Sequence, residues 1–151
     1  MYAGSVHGVE AALALMGFGG ASSCNIASEF GVMGPNSTNA MGCASGTIAI
    51  GEAFRQVRDG YADVMLGGGA EAPLYPLCYG AFALIRAMST RNDDPCTASR
   101  PFDKDRDGFV MGEGASVLVL EERSRAIARG PKIYGEIAGS GMSNDAYHST
   151  A

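Results

Sequence analysis

The chain is poor in lysine. It has two, Lys104 and Lys132, within 11 basic residues set against 16 acidic ones, for a net charge of −5. A chain of this balance lacks the basic footprint that draws proteins to phosphate backbones, which argues against nucleic acid as its main partner. Histidine is equally scarce, at His7 and His148 only. The four cysteines stand at 24, 43, 78 and 96 with no CxxC pair, and the two histidines complete no zinc pattern, so no metal site is expected. No apolar run reaches the ~18 residues that cross a bilayer, so no membrane partner is expected. The start, Met1-Tyr2-Ala3-Gly4-Ser5, shows no basic segment followed by an apolar one. The expectation is therefore a cytoplasmic chain in a reducing compartment, where a disulfide framework is not formed. Internal repeats, low-complexity tracts and linker-like stretches are also missing.

What the chain does have is 46% apolar and 18% charged residues, a globular composition rather than a disordered one. At 151 residues one domain is the default. Glycine is in excess, 22 residues, about twice its usual share of ~7%. The glycines follow no three-residue period, which excludes collagen and points to tight turns and close backbone approaches.

Short helices are predicted over 9–16 and 23–30, each closed by glycine. Residues 36–42 read as a strand entering a turn. Residues 44–59 read as a helix, with Ile50, Ala53, Phe54 and Val57 on one face and an uncharged, buried start. A buried strand over 62–66 is predicted to end at a turn made by Gly67-Gly68-Gly69. Then come an apolar helix over 77–88, a polar loop over 89–108 and a buried strand over 115–120. A helix over 121–129 has acids at its start and arginines toward its end, and a third strand follows over 132–140. Alternating strands and helices give an α/β layered fold, although the strands are few for a complete sheet.

Two motifs invite functional readings that their context does not support. Asp103-Lys104-Asp105-Arg106-Asp107-Gly108 opens like a calcium loop, but the pattern wants glutamate at 114, where Gly114 stands. A solvated charged turn is the better reading. The glycine clusters at 17–20, 67–69 and 112–114 fit neither a P-loop nor a strand–GxGxxG–helix unit, and read as turns. Cys43 differs from both. It stands between an extended segment and a helix that opens on the small residues Ala44-Ser45-Gly46. Unpaired N–H groups and the dipole at a helix N-terminus stabilise a thiolate and could stabilise an oxyanion as a thioester is attacked. The competing reading is a buried free cysteine that packs as a small hydrophobe. Cys24, Cys78 and Cys96 lack this setting.

Around Cys43 the sequence resembles the β-ketoacyl-acyl-carrier-protein synthases, the condensing enzymes of fatty-acid and polyketide synthesis, and most of all their elongating ketosynthase II type. Gly34-Pro35-Asn36 and Ala40-Met41-Gly42-Cys43-Ala44-Ser45-Gly46 are similar to the family's nucleophile segment. The resemblance continues through Ala62 to Glu71, Phe82 to Asp93, Arg100 to Asp103, Arg106 to Val110, Gly112 to Ala115 and Ser143 to His148. It is ordered and covers about residues 24–151.

This resemblance implies a thiolase-like layered α/β fold, incomplete, holding an internal part of the first half and the start of the second. Residues 1–151 would be one partial, nucleophile-bearing synthase domain, truncated at both ends. Cys43 would take an acyl chain from a carrier-protein thioester. Malonyl-carrier protein would then lose CO₂ and its carbanion attack the acyl-cysteine, as in fatty-acid chain elongation. No cofactor is implied, since substrates arrive on the phosphopantetheine of acyl carrier protein. Phe82 and Cys78 would line the acyl pocket, Thr150 the phosphopantetheine channel, and Arg86 would face the acidic carrier protein. A homodimer is implied too, formed in the family by strands that run up to the nucleophile, here about Asn36 to Met41.

The sequence departs from the family at Met41-Gly42, where Thr-Ala is more usual. It also lacks the two histidines in glycine- and threonine-containing turns that bind and decarboxylate the malonyl group, for neither His7 nor His148 stands in such a turn. The alternatives are a polyketide-type ketosynthase domain and a non-catalytic fragment that only binds an acyl-carrier partner.

Overall fold

The computed structural model describes residues 12–13 and 17–147. The helix expected over 9–16 falls mostly outside them, as do His7, His148 and Thr150. The described chain separates into two compact units, one of Met1–Gly69 with Val117–Ala151, the other of Ala70–Ser116. The elements in order are α1 (Ala21–Phe30), α2 (Ser45–Arg58), β1 (Val64–Glu71), α3 (Pro76–Leu84), β2 (Gly114–Glu121) and α4 (Arg123–Arg129), with short 3-10 turns at Gly42–Ala44 and Pro95–Thr97.

Local chemistry sets most of these boundaries. α1 and α4 end on Gly31 and Gly130, both left-handed at φ 62° and 76°, whose N–H groups close onto carbonyls of the last turn. α4 opens with the Glu122 carboxylate accepting the Arg125 N–H. α3 starts on Pro76, where a missing N–H costs nothing.

β1 and β2 pair as a two-stranded sheet. The Glu122 N–H donates to the Asp63 carbonyl at 3.2 Å, so the end of β2 lies beside the start of β1 and the pairing is antiparallel. β1 runs straight through Gly67-Gly68-Gly69 instead of ending there. The reason is α2, which lies on this strand. A Cβ at Gly67 would stand 2.9 Å from the Ala53 Cβ and 3.2 Å from the Ile50 Cα, and one at Gly69 would stand 3.2 Å from the Gly46 Cα. These glycines serve close approach rather than a turn.

Two expected strands do not form. Residues 36–41 carry no regular structure and lead into the 3-10 turn at 42, and 132–140 carry none either. Neither segment finds a strand partner among the described residues, and a lone strand leaves its backbone groups unpaired. The helix expected over 77–88 stops at Leu84.

The expected burial also differs. The buried hydrophobic side chains among the described residues are Ala53, Ala98 and Ala126. α2 is buried most deeply at its middle, at Gly51 and Ala53, rather than at its start. β2, expected as a buried strand, exposes Val117, Leu118 and Val119. Ion pairs hold α4 to its strand instead: Glu121 takes Arg129 at 2.7 Å and Arg125 at 3.3 Å, and Arg125 also reaches Asp63 at 3.0 Å.

Candidate active site

Cys43 occupies the middle of the 3-10 turn Gly42–Ala44, directly ahead of α2, and is exposed. The turn depends on Gly42, whose backbone is left-handed at φ 58°. The Ser45 N–H donates to the Gly42 carbonyl and closes it. α2 is fourteen residues long, has no acidic residue in its first turn and no side chain capping its N-terminus. The Ser45 N–H is spent on Gly42, no side chain caps the N–H groups that follow it, and the helix dipole favours negative charge where Cys43 stands. That is the environment a thioester oxyanion needs. Contact of Gly46 with Gly69 sets the helix start hard against β1, which fixes where the turn can sit.

One positioning contact here escapes sequence reading. The Asn39 carboxamide donates to the Ser45 carbonyl at 3.2 Å and accepts the Met41 N–H at 3.4 Å, bracketing the turn. Asparagine is common in loops, and no pattern in the sequence singles this one out.

Cys78, Phe82 and Arg86 lie in the second unit. Cys78 is half-buried and Phe82 is 38% exposed, four residues apart on α3 and so on one face. The Phe82 ring meets Phe109 edge-on, centroids 5.4 Å apart and planes at 86°. Phe109 was not among the expected residues, since it stands 27 positions away in the charged loop. Arg86 is exposed and left-handed at φ 57°, just past the end of α3.

Segments 87–91 and 107–109 are knitted together beside it. Phe109 donates to the Ala87 carbonyl and accepts the Ser89 N–H, both at 3.0 Å. The Asp107 carboxylate accepts the Ser89 hydroxyl at 2.7 Å and the Thr90 N–H at 3.1 Å. The Ser89 hydroxyl first, then the Thr90 amide and the Arg91 charge, hold the Asp107 carboxyl below its ordinary range. The calcium-like run therefore works as a charged turn whose last aspartate is committed to a neighbouring segment.

The structure thus sets Cys78 and Phe82 on one face of α3, places Phe109 against Phe82, and frames Cys43 at the N-terminus of α2. No helix among the described residues is long and apolar enough to cross a membrane.

Comparison with known proteins places this arrangement. The family model for the N-terminal domain of beta-ketoacyl synthases matches residues 7–126. The 3-oxoacyl-[acyl-carrier-protein] synthase 2 of Synechocystis is 59% identical over 123 residues, covering 82% of this chain and 30% of that protein. Its counterpart in Vibrio cholerae is 51% identical over 127 residues, covering 84% and 31%. Among solved structures, a ketosynthase in complex with its type II polyketide synthase acyl-carrier protein and bound to a hexaketide superimposes with a TM-score of 0.89 at 36% identity, covering 95% of this chain and 36% of that one. The chain thus spans about a third of the length of these relatives, and its fold is an incomplete thiolase-like α/β fold. With the family model matching most of its length, the chain belongs to the β-ketoacyl synthases, the ketosynthase family of condensing enzymes.

Proposed function

We propose that the protein this chain represents elongates acyl chains carried on acyl carrier protein, and that these 151 residues supply its acyl-transfer half. Cys43 attacks the thioester carbonyl of acyl-carrier protein. The tetrahedral oxyanion is held by N–H groups at the start of α2, and the phosphopantetheine thiol leaves with a proton. The malonyl thioester then breaks its carboxylate C–C bond, releasing CO₂. The resulting carbanion bonds to the acyl carbon and expels the Cys43 thiolate, giving a 3-oxoacyl chain two carbons longer.

The observation that carries this reading is the uncapped N-terminus of α2 behind an exposed cysteine, inside the stretch that matches the family. Residues 1–151 form one partial synthase domain in this proposal, in a cytoplasmic protein, with self-association as in the family. Cys78 and Phe82 line the acyl chain, Thr150 the phosphopantetheine, and Arg86 meets the carrier. Decarboxylation needs histidines that His7 and His148 do not provide.

Intact-mass measurement after incubation with acyl-carrier protein tests the first step. The parent chain should gain the mass of one acyl group, and Cys43→Ala should gain none. Equal acylation of both would refute Cys43 as the acceptor. Formation of a 3-oxoacyl product by this chain alone would refute the division into halves.

A polyketide-type ketosynthase is the second reading, supported by the similarity to a ketosynthase bound to a hexaketide. Chain lengths of the products formed by a protein containing these residues distinguish the two: one condensation per released product fits elongation, while repeated condensation without reduction fits polyketide synthesis. A purely carrier-binding role predicts that a fluorescent iodoacetamide labels Cys43 no faster than Cys24, Cys78 or Cys96.

A further inference from the structure

Arg86 is one of three non-glycine residues with positive φ among the described residues, at 57°. For a long side chain that conformation is sparsely populated and persists only where neighbouring structure over-determines it. The structure shows what does so. On its N-terminal side, the Arg86 N–H donates to the Ala83 carbonyl at 3.0 Å, a short C-terminal closure of α3. On its C-terminal side every residue from Ala87 to Thr90 is tied to 107–109: Ala87 through its carbonyl to the Phe109 N–H, Ser89 through its N–H to the Phe109 carbonyl, and Ser89 and Thr90 through the Asp107 carboxylate. Met88 is pressed against Gly108, where a Cβ would collide with the Met88 carbonyl carbon and the Ser89 nitrogen. Asp107 is the side chain in this clasp. Its two oxygens each take one bond, and the Ser89 hydroxyl it orients accepts in turn from the Arg91 N–H at 3.2 Å.

We propose that Asp107 is a positioning residue for carrier-protein docking: by pinning Ser89 and Thr90 to segment 107–109 it holds Arg86 in its left-handed conformation and so keeps its side chain exposed. The inference rests on the reading of Arg86 as the carrier-facing cation. It goes beyond that reading by naming the residue that holds the arginine's conformation, and by assigning the calcium-like run 103–108 a role in recognition.

The test is a double-mutant cycle on binding of holo acyl carrier protein, titrated at low salt. Arg86→Ala should weaken binding about tenfold, since a lost rim cation costs steering and affinity. Asp107→Asn removes the charge and keeps a single acceptor oxygen, so the Ser89 hydroxyl and the Thr90 N–H can no longer both donate to it. It should weaken binding about fivefold in the parent chain and less than twofold in the Arg86→Ala chain, because two residues acting through one contact are not additive. Ser89→Ala, which removes only the hydroxyl arm, should give an intermediate loss and serves if Asp107→Asn does not fold. An equal factor for Asp107→Asn in both backgrounds would make its role merely structural and overturn the proposal. Parent-like binding by Asp107→Asn with Arg86→Ala impaired would overturn the proposal alone. Parent-like binding by Arg86→Ala would overturn the reading of Arg86, and the proposal with it.

Discussion

Gly108 and Gly42 show how differently two glycines with positive φ constrain one chain. Gly108, at φ 148°, lies against the backbone of Met88 and Ser89, so a methyl group there has nowhere to go. Gly108→Ala should cost about 2–3 kcal/mol through overpacking, read as a lower urea midpoint and faster proteolysis of the 86–110 region. Gly42, at φ 58°, has open space around its would-be Cβ. Gly42→Ala should cost only the conformational penalty, about 1 kcal/mol, and leave Cys43 labelling within about threefold of the parent. The D-G pair at 107–108 was readable as a turn, but the identity of the residues it presses against was not, because that depends on a segment twenty positions away. The helix start behind Cys43 was readable from its small neighbours, while the choice between a nucleophile and a packed cysteine came from the resemblance to the family. Asn39 and Phe109 were not readable, because their roles lie in partners rather than in spacing.

At the scale of elements, α2 lies close on β1. Gly67→Val would drive a branched side chain into Ala53 and Ile50, and should cost about 2–4 kcal/mol and displace the start of α2, slowing Cys43 alkylation while leaving Cys78 unaffected. The α4 clip makes a pH prediction. Hydrogen bonding from Arg129, then the charges of Arg129 and Arg125, hold the Glu121 carboxyl below the ordinary glutamate range. A depressed carboxylate contributes stability above its unfolded pKa, about 4.3, and loses it as pH falls through its folded pKa. The thermal midpoint should therefore drop as pH is lowered from about 5 toward 3, and Glu121→Gln should lower the midpoint at neutral pH and flatten that dependence. α1, α2, β2 and α4 were legible to within a few residues, since apolar period, end charges and stop glycines act locally. The extension of β1 through three glycines was not, because glycine in a strand reads as a turn until the packing helix is known. Residues 36–42 and 132–140 carry strand-like patterns, yet a strand exists only when another pairs with it.

For the whole molecule the decisive quantity is surface. Large hydrophobics are among what is uncovered, including Met33 at 95% and Phe102 at 99% exposed. Apolar surface of this extent drives association. Sedimentation should show concentration-dependent self-association, and a hydrophobic dye should bind the native chain strongly. A monodisperse monomer that melts cooperatively and binds no dye would contradict this expectation.

From the order of its residues alone, the chain's membership of a condensing-enzyme family, the place of Cys43 before a helix and the helices themselves could be derived. Periodicity, capping and motif spacing are written over short stretches, and the chemistry of a cysteine at a helix start needs only its neighbours. Tertiary structure alone decided that the glycine excess near 67–69 is a helix-packing surface, that Phe109 meets Phe82, and that Asp107 braces the segment following Arg86. Each of these joins residues distant in sequence, where the free energy lies in fit and hydrogen-bond geometry that no local pattern encodes.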